Sequence, residues 1–284
     1  MISLLQGEIL LVAIVTSIAC VMPGAFLVLR GVAMMSDAIS HAILLGIVSM
    51  FLWVQKLESP LLIIGALCAG LLTVICTEMI IVSKRLKKDA AIGLIFPLFF
   101  SIGVILITRY GRNIHLDVDM VLLGELAFVP FNRLVLWGTD CGPYALWVVG
   151  ATLIMNALFI KFFYKELLIT TFDETYALFA GFSPIFFYYC LMIMTSITAV
   201  ATFDAVGSIM VVALMITPCA AAYLLTDRVP ALLGLSVVIA VLSSVFGYFF
   251  AFYMDVSIAG SIASMTGVFF VGALIKSVVL NKLA

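Results

Sequence analysis

Charge is what this chain has least of. Asp, Glu, Lys and Arg make up 10% of its 284 residues and hydrophobic residues 65%. A soluble domain carries about 25% charged and about 45–50% apolar residues. That contrast, with a mean hydropathy of +1.34, excludes a soluble globular protein. The alternating segments of about ten residues that build a membrane β-barrel are also missing, because the apolar runs continue for about twenty residues. The expected class is therefore an all-α polytopic membrane protein. A net charge of −1 points to no charged partner. No basic cluster interleaved with aromatics is present, which excludes nucleic-acid binding.

Other absences narrow the chemistry. The six cysteines, Cys20, Cys68, Cys76, Cys141, Cys190 and Cys219, contain no C-x-x-C, and all but Cys141 lie in apolar runs. They read as small buried residues rather than a disulfide framework or a zinc site. Met1–Leu29 holds no Lys or Arg, so no cleavable signal peptide is expected. There is no G-x-x-x-x-G-K-[ST] to cradle a nucleotide phosphate, no H-E-x-x-H and no G-x-S-x-G. With no room for a soluble catalytic domain, the chain is expected to be a conduit and not an enzyme. Its energy must come from a partner or an ion gradient.

What is present is a series of apolar segments, about nine and at least eight, each long enough to span about 30 Å of hydrocarbon. They cover residues 8–29, 32–54, 60–82, 90–108, 143–164, 184–203, 205–225, 230–252 and 258–280. Only Thr202-Phe203-Asp204 separates the sixth from the seventh, so these two can also be counted as one. The cluster Ser83-Lys84-Arg85-Leu86-Lys87-Lys88 belongs on the cytoplasmic side. That puts the N-terminus outside and, with nine spans, the C-terminus inside. Arg30, Lys84, Arg85, Lys87, Lys88, Lys161, Lys165, Arg228, Lys276 and Lys282 then face the cytoplasm. Lys56, Arg109, Arg112 and Arg133 face out.

One stretch stands apart. Met34-Met35-Ser36-Asp37-Ala38-Ile39-Ser40-His41 sets a carboxylate and an imidazole four residues apart in an apolar run. On a helix both fall on one face. Ionisable groups in a membrane helix are costly and mark function by default. This pair suits a divalent ion of middling hardness, Mn, Fe or Zn. The plain alternative is that Asp37 is a helix N-terminal charge and both residues face interfacial water. As a polar, channel-facing residue, His41 is expected to contribute little to packing.

Two connections are long. In one, Leu116–Leu126 is short and amphipathic and contains Asp117, Asp119 and Glu125, with His115 just before it. It reads either as a half-helix lining a pathway or as an interfacial surface helix. The other connection, about 161–184, carries Asp173 and Glu174 where a helix begins and Gly181 and Pro184 where it ends. Phe172, Tyr176 and Phe179 rim this two-turn helix. Either it projects to meet a protein partner, or it lies flat with its aromatics among headgroups. Asp204 is a further pathway or gate candidate. Glu78 is expected to pair with the lysine–arginine cluster beyond it. Pro23, Pro97 and Pro218 lie inside spans, and each frees a carbonyl that a neighbour must satisfy.

Taken in order, these residues resemble the permease subunit of bacterial ABC importers for manganese, zinc or iron. Arg30-Gly31-Val32-Ala33-Met34-Met35-Ser36-Asp37-Ala38-Ile39-Ser40-His41-Ala42 is similar to the family's R-R-x-S-x-x-x-D-x-x-x-H-A, with Gly31 in place of a second basic residue. Asp89-Ala90-Ala91-Ile92-Gly93 resembles its D-x-x-I-G. Asp119–Leu126 resembles D-L-x-x-x-L-F-G-x-I/L, and Asp173 through Ala177 to Gly181 resembles the cytoplasmic D-x-x-x-A-x-x-x-G loop. Val206–Ala222 resembles V-G-x-L-L-V-x-A-L-L-I-x-P-A-A-x-A. A departure comes at Asp255–Gly260, where the family's D-x-P-x-G loses its proline.

The resemblance spans the chain and implies one permease domain, 1–284, with a fold similar to vitamin B12-type importer permeases. It implies a second permease, identical or homologous, a separate cytoplasmic ABC ATPase and an extracytoplasmic metal-binding protein, all at the bacterial inner membrane. The metal would be transported substrate, with no permanently bound cofactor. Asp37 and His41 would be its ligands. Asp173, Glu174, Tyr176, Ala177 and Gly181 would form the ATPase-coupling helix. Without the resemblance, a stand-alone ion-coupled secondary transporter is the alternative.

Overall fold

The structure, a computed structural model, describes residues 4–55, 59, 61–110, 126–136 and 139–283. In chain order the helices are α1 (Leu4–Leu29), α2 (Met34–Val54), α3 (Leu61–Val82) and α4 (Lys88–Tyr110). A 3-10 turn, Leu126–Phe131, and two short antiparallel strands, β1 (Arg133–Leu136) and β2 (Thr139–Pro143), follow. Next come α5 (Tyr144–Phe162), α6 (Tyr164–Phe172), α7 (Glu174–Phe179), α8 (Pro184–Leu225), α9 (Val229–Met254) and α10 (Ile258–Leu283). Among the described residues eight helices are long and apolar enough to cross a membrane. The all-α polytopic fold expected from the apolar runs is the one found.

One of the eight, α8, has 42 residues. Straight, it would measure about 63 Å, twice the hydrocarbon thickness. It is instead two arms that fold back on each other. Gly207 interrupts the helical backbone at φ 78°, ψ 165°, a conformation that only glycine adopts without a Cβ penalty. Cys20 Sγ on α1 lies 4.0 Å from Thr202 Oγ1 in the first arm. The carbonyl of the adjacent Val21 lies 3.6 Å from Cys219 Sγ in the second. On an unbroken helix Thr202 and Cys219 would be about 25 Å apart.

Both ends of α8 reach the face where α1 ends. Arg30, just past α1, sits 6.0 Å from the Tyr188 ring near the start of α8. The end of α8 turns through three residues into α9. The far end of α9 returns to the start of α1, where Gln6, Ile9, Leu126, Phe128 and Asp255 line a shared cavity. The two segments that the sequence separates at Thr202–Asp204 are therefore distinct arms, with the break at Gly207. Thr202 stays helical, its hydroxyl donating to the Thr198 carbonyl at 2.7 Å.

The core forms where α1 and α8 cross, the two helices with the largest buried share of their spans. In lipid no hydrophobic drive separates helix from helix, so close approach by small residues carries the packing. A Cβ on Gly46 of α2 would fall 2.2 Å from the Gly65 carbonyl oxygen of α3, so the two backbones touch there. Buried hydroxyls satisfy themselves locally: Thr73, Thr195, Thr198, Ser236 and Ser243 each donate to the carbonyl four residues back. Pro23 cannot bond the Ala19 carbonyl. Asn156 of α5 takes that role, donating Nδ2–H at 3.1 Å.

The β-hairpin has no counterpart in the apolar pattern. Ion pairs hold it down. Arg133 Nη2 reaches Glu8 Oε1 of α1 at 2.6 Å, and Arg133 Nε reaches Asp140 Oδ2 at 2.9 Å.

Candidate metal centre

Gly31 ends α1 at φ 66°, and its neighbours close a Schellman turn. Val32 N–H donates to Leu27 O and Gly31 N–H to Val28 O, both at 3.0 Å. Three residues later α2 begins. Ser36 Oγ donates to the Ala33 carbonyl at 2.9 Å, closing the first turn. Asp37 stands in that turn and His41 one turn on. His41 Nε2 lies 3.3 Å from Asp37 Oδ1. The flanking Met35, Ala38, Ile39 and Ala42 are buried, whereas His41 and Asp37 keep 26% and 23% of their side-chain surface exposed. The pair therefore opens outward from an otherwise packed helix.

Helix α4 supplies the walls. Phe96 and Phe100 each place a ring 5.4 Å from the imidazole, one tilted and one edge-on. Pro97 sits between them in the sequence. His41 Nδ1 is buried and makes no hydrogen bond among the described residues. The ring is thus held by packing, not left loose as the sequence suggested.

Two donor atoms 3.3 Å apart, each about 2.1 Å from a cation, subtend about 100° at it. That angle lies between the octahedral and tetrahedral values, so the pair can serve as a two-point ligand without rearrangement. Among the described residues no group of three His, Cys, Asp or Glu could hold a metal. The described residues therefore offer two ligands at this site. Asp204 is exposed in the last turn of the first α8 arm, three residues before Gly207. Asp117, Asp119, Glu125 and His115 lie outside the described residues. Glu78 faces Tyr188 of α8. Among the described residues no ion pair links it to the Lys84–Lys88 cluster, contrary to the expectation from spacing.

The loop expected to hold one helix holds two. Leu167 and Thr170 bury α6. Asp173 then caps α7, Oδ1 accepting from Tyr176 N–H at 2.8 Å. Gly181, at φ 84°, ends it in a second Schellman turn: Phe182 N–H donates to Ala177 O at 2.9 Å and Gly181 N–H to Leu178 O at 3.1 Å. Ala177 is fully buried, while Phe172, Tyr176 and Leu178 are exposed and Phe179 is 86% exposed. The result is a capped, ordered helix presenting apolar side chains away from the chain.

Sequence reading missed what fastens this loop. Arg30 Nη2 donates to Thr170 Oγ1 at 2.8 Å and Nε to Thr171 Oγ1 at 3.1 Å. Burial pulls the guanidinium below its ordinary pKa, and the nearby Glu174 carboxylate pulls it back up. A basic residue bordering D-x-x-x-H and a Thr-Thr pair closing α6 were the available signals. Neither has a spacing that foretells contact across 140 residues.

Eight helices long and apolar enough to span a bilayer, packed around α1 and α8, define a multi-pass membrane protein. The sequence model of the ABC 3 transport family matches residues 1–277, and the chain belongs to that family. It is 46% identical over 272 residues to the manganese transport system membrane protein MntD of Bacillus subtilis (strain 168), covering 96% of this chain and 92% of that protein. It is 46% identical over 263 residues to the zinc transport system membrane protein TroD of Treponema pallidum (strain Nichols), covering 93% and 71%. The solved structure of PsaBC from Streptococcus pneumoniae in complex with Fab aligns with a TM-score of 0.76 at 31% identity, over 94% of this chain and 90% of that one.

Proposed function

We propose that this chain is the permease subunit of an ATP-driven importer for a divalent transition metal ion, Mn, Zn or Fe. Family membership and relatives named for manganese and zinc transport support this reading over a stand-alone secondary carrier. The observation that carries the route is the Asp37–His41 pair: two pre-positioned ligands on one face of α2, with no third ligand beside them among the described residues. A second permease chain bearing the same pair completes the site across a two-fold axis. It then offers two carboxylates and two imidazoles, and with the imidazoles neutral it carries about two negative charges. Oxygen and nitrogen ligands without thiolate hold Mn or Fe loosely enough to release them.

Residues 1–284 act as one permease domain in the bacterial cytoplasmic membrane, surrounded by lipid. The N-terminus is outside and the C-terminus inside, as the distribution of Lys and Arg supports. The α7 helix, with Asp173, Glu174, Tyr176, Ala177 and Gly181, then faces the cytoplasm within the coupling loop, about 161–184, and seats on a separate ABC ATPase. That subunit hydrolyses ATP. An extracytoplasmic metal-binding protein delivers the ion to the opposite face. Asp204, with Asp117, Asp119 and Glu125, flanks the route as gate or pathway residues.

The test is uptake into proteoliposomes containing the permeases and their ATPase, with metal-loaded binding protein outside. Uptake should require internal ATP and persist when proton and sodium gradients are dissipated. Gradient-driven uptake without ATP would overturn the proposal.

A further inference from the structure

The loop bearing the exposed α7 helix and the helix bearing Asp37 are fastened to each other at one point. Arg30 bonds both Thr170 and Thr171, the threonines that close α6 just before the Asp173 cap of α7. Both hydroxyl protons are already committed, Thr170 Oγ1 donating to the Glu166 carbonyl at 2.8 Å and Thr171 Oγ1 to the Leu167 carbonyl at 2.6 Å. Each oxygen therefore has only acceptor capacity left. A guanidinium, which carries donors and no acceptor in a rigid fork, matches two adjacent acceptors where an ammonium, a point charge, cannot span both with the same geometry. Tyr188 of α8 lies beside the guanidinium, and Glu174, the first residue of α7, attracts it.

On the other side of Arg30 the chain has little slack. The Gly31 Schellman turn and the Met35 N–H bond to Val32 O at 2.9 Å lead directly into α2. Asp37 follows in its first turn. Hydrogen bonds therefore run without a gap from the Asp173 cap of α7 through α6 and the guanidinium to the root of α2.

We infer that Arg30 is a positioning residue that couples movement of the α7 helix to the Asp37–His41 pair. Among the described residues its side-chain polar contacts are the two threonine hydroxyls, not Asp37 or His41. This inference rests on the permease reading above, and it adds the part that transmits the stroke.

The test uses the assembled complex in proteoliposomes, reading metal imported per ATP hydrolysed, basal and metal-stimulated hydrolysis, and Mn affinity. Wild-type hydrolysis that ignores metal-loaded binding protein would refute the permease reading itself, before any variant is made. Given a responsive wild type, Arg30→Gln should lower metal imported per ATP at least tenfold. Basal hydrolysis and Mn affinity should stay within twofold. Thr170→Val with Thr171→Val removes both acceptors at nearly constant shape and should give the same loss, with no further loss on adding Arg30→Gln. Thr170→Ser with Thr171→Ser retains both hydroxyls and should restore coupling. A wild-type metal-to-ATP ratio in Arg30→Gln would overturn the inference. So would a proportionate fall of transport and hydrolysis with a lowered melting temperature, the pattern of a purely structural tie.

Discussion

Asp37→Asn should leave an assembled importer that hydrolyses ATP but does not move metal. The substitution keeps size and the helical turn while exchanging an anionic oxygen ligand for a neutral amide. Where both permeases are copies of this chain it removes both carboxylates, and with them the negative charge that attracts a divalent ion. Loss of an outer-shell partner alone costs about 10–100-fold in metal affinity, so loss of a ligand from each chain should cost at least about 100-fold. His41→Ala should lose affinity comparably but at a second cost. Its ring packs against Phe96 and Phe100, and aromatic contacts of this kind contribute about 0.5–1.5 kcal/mol each beyond area burial. A lowered melting temperature is therefore expected for His41→Ala and not for Asp37→Asn. Titration calorimetry with Mn and Zn, alongside thermal melts in detergent, separates the two effects. Wild-type uptake by both variants would make the pair structural and move the route toward Asp204.

Phe179→Asp should abolish assembly with the ATPase while leaving the permease folded. Phe179 is 86% exposed at the end of α7, so within this chain the change is a surface substitution, worth about 0.5 kcal/mol or less. Against an apolar groove it places a charge where none can be paired. The result expected is an unchanged melting temperature together with loss of ATPase copurification. Two other positions in the loop are less clean. Gly181 sits at φ 84°, so a bulky residue there strains the turn whatever binds it. Glu174→Arg would set a second guanidinium beside Arg30. Copurification at the wild-type level in Phe179→Asp would show that α7 is not the seat.

Much of the architecture was legible because membrane helices announce themselves by length and composition. The positions of Asp37 and His41 on one face followed from four-residue spacing alone. The break in α8 was legible as two apolar segments, but its site was not. Asp204 looks like the natural interruption by polarity, yet backbone geometry put the turn at Gly207, where no Cβ opposes it. The β-hairpin was hidden because Arg133, Glu8 and Asp140 meet only through the fold. The same holds for Phe96 and Phe100, which in an apolar run look like any lipid-facing aromatics until α4 is laid against α2. Arg30 read as one of ten cytoplasmic charges. Its partners lie 140 and 141 residues away, beyond the reach of any local pattern.

The most direct measurement is X-ray absorption on the metal-loaded importer in detergent, with the metal content of the same sample. The account predicts one divalent ion per pair of permease chains. Its first shell should hold only nitrogen and oxygen, with scattering from two imidazoles, and both the ion and that signal should be lost in Asp37→Asn. A shell containing sulfur at about 2.3 Å, or a bound ion with no imidazole scattering that survives Asp37→Asn, would contradict it.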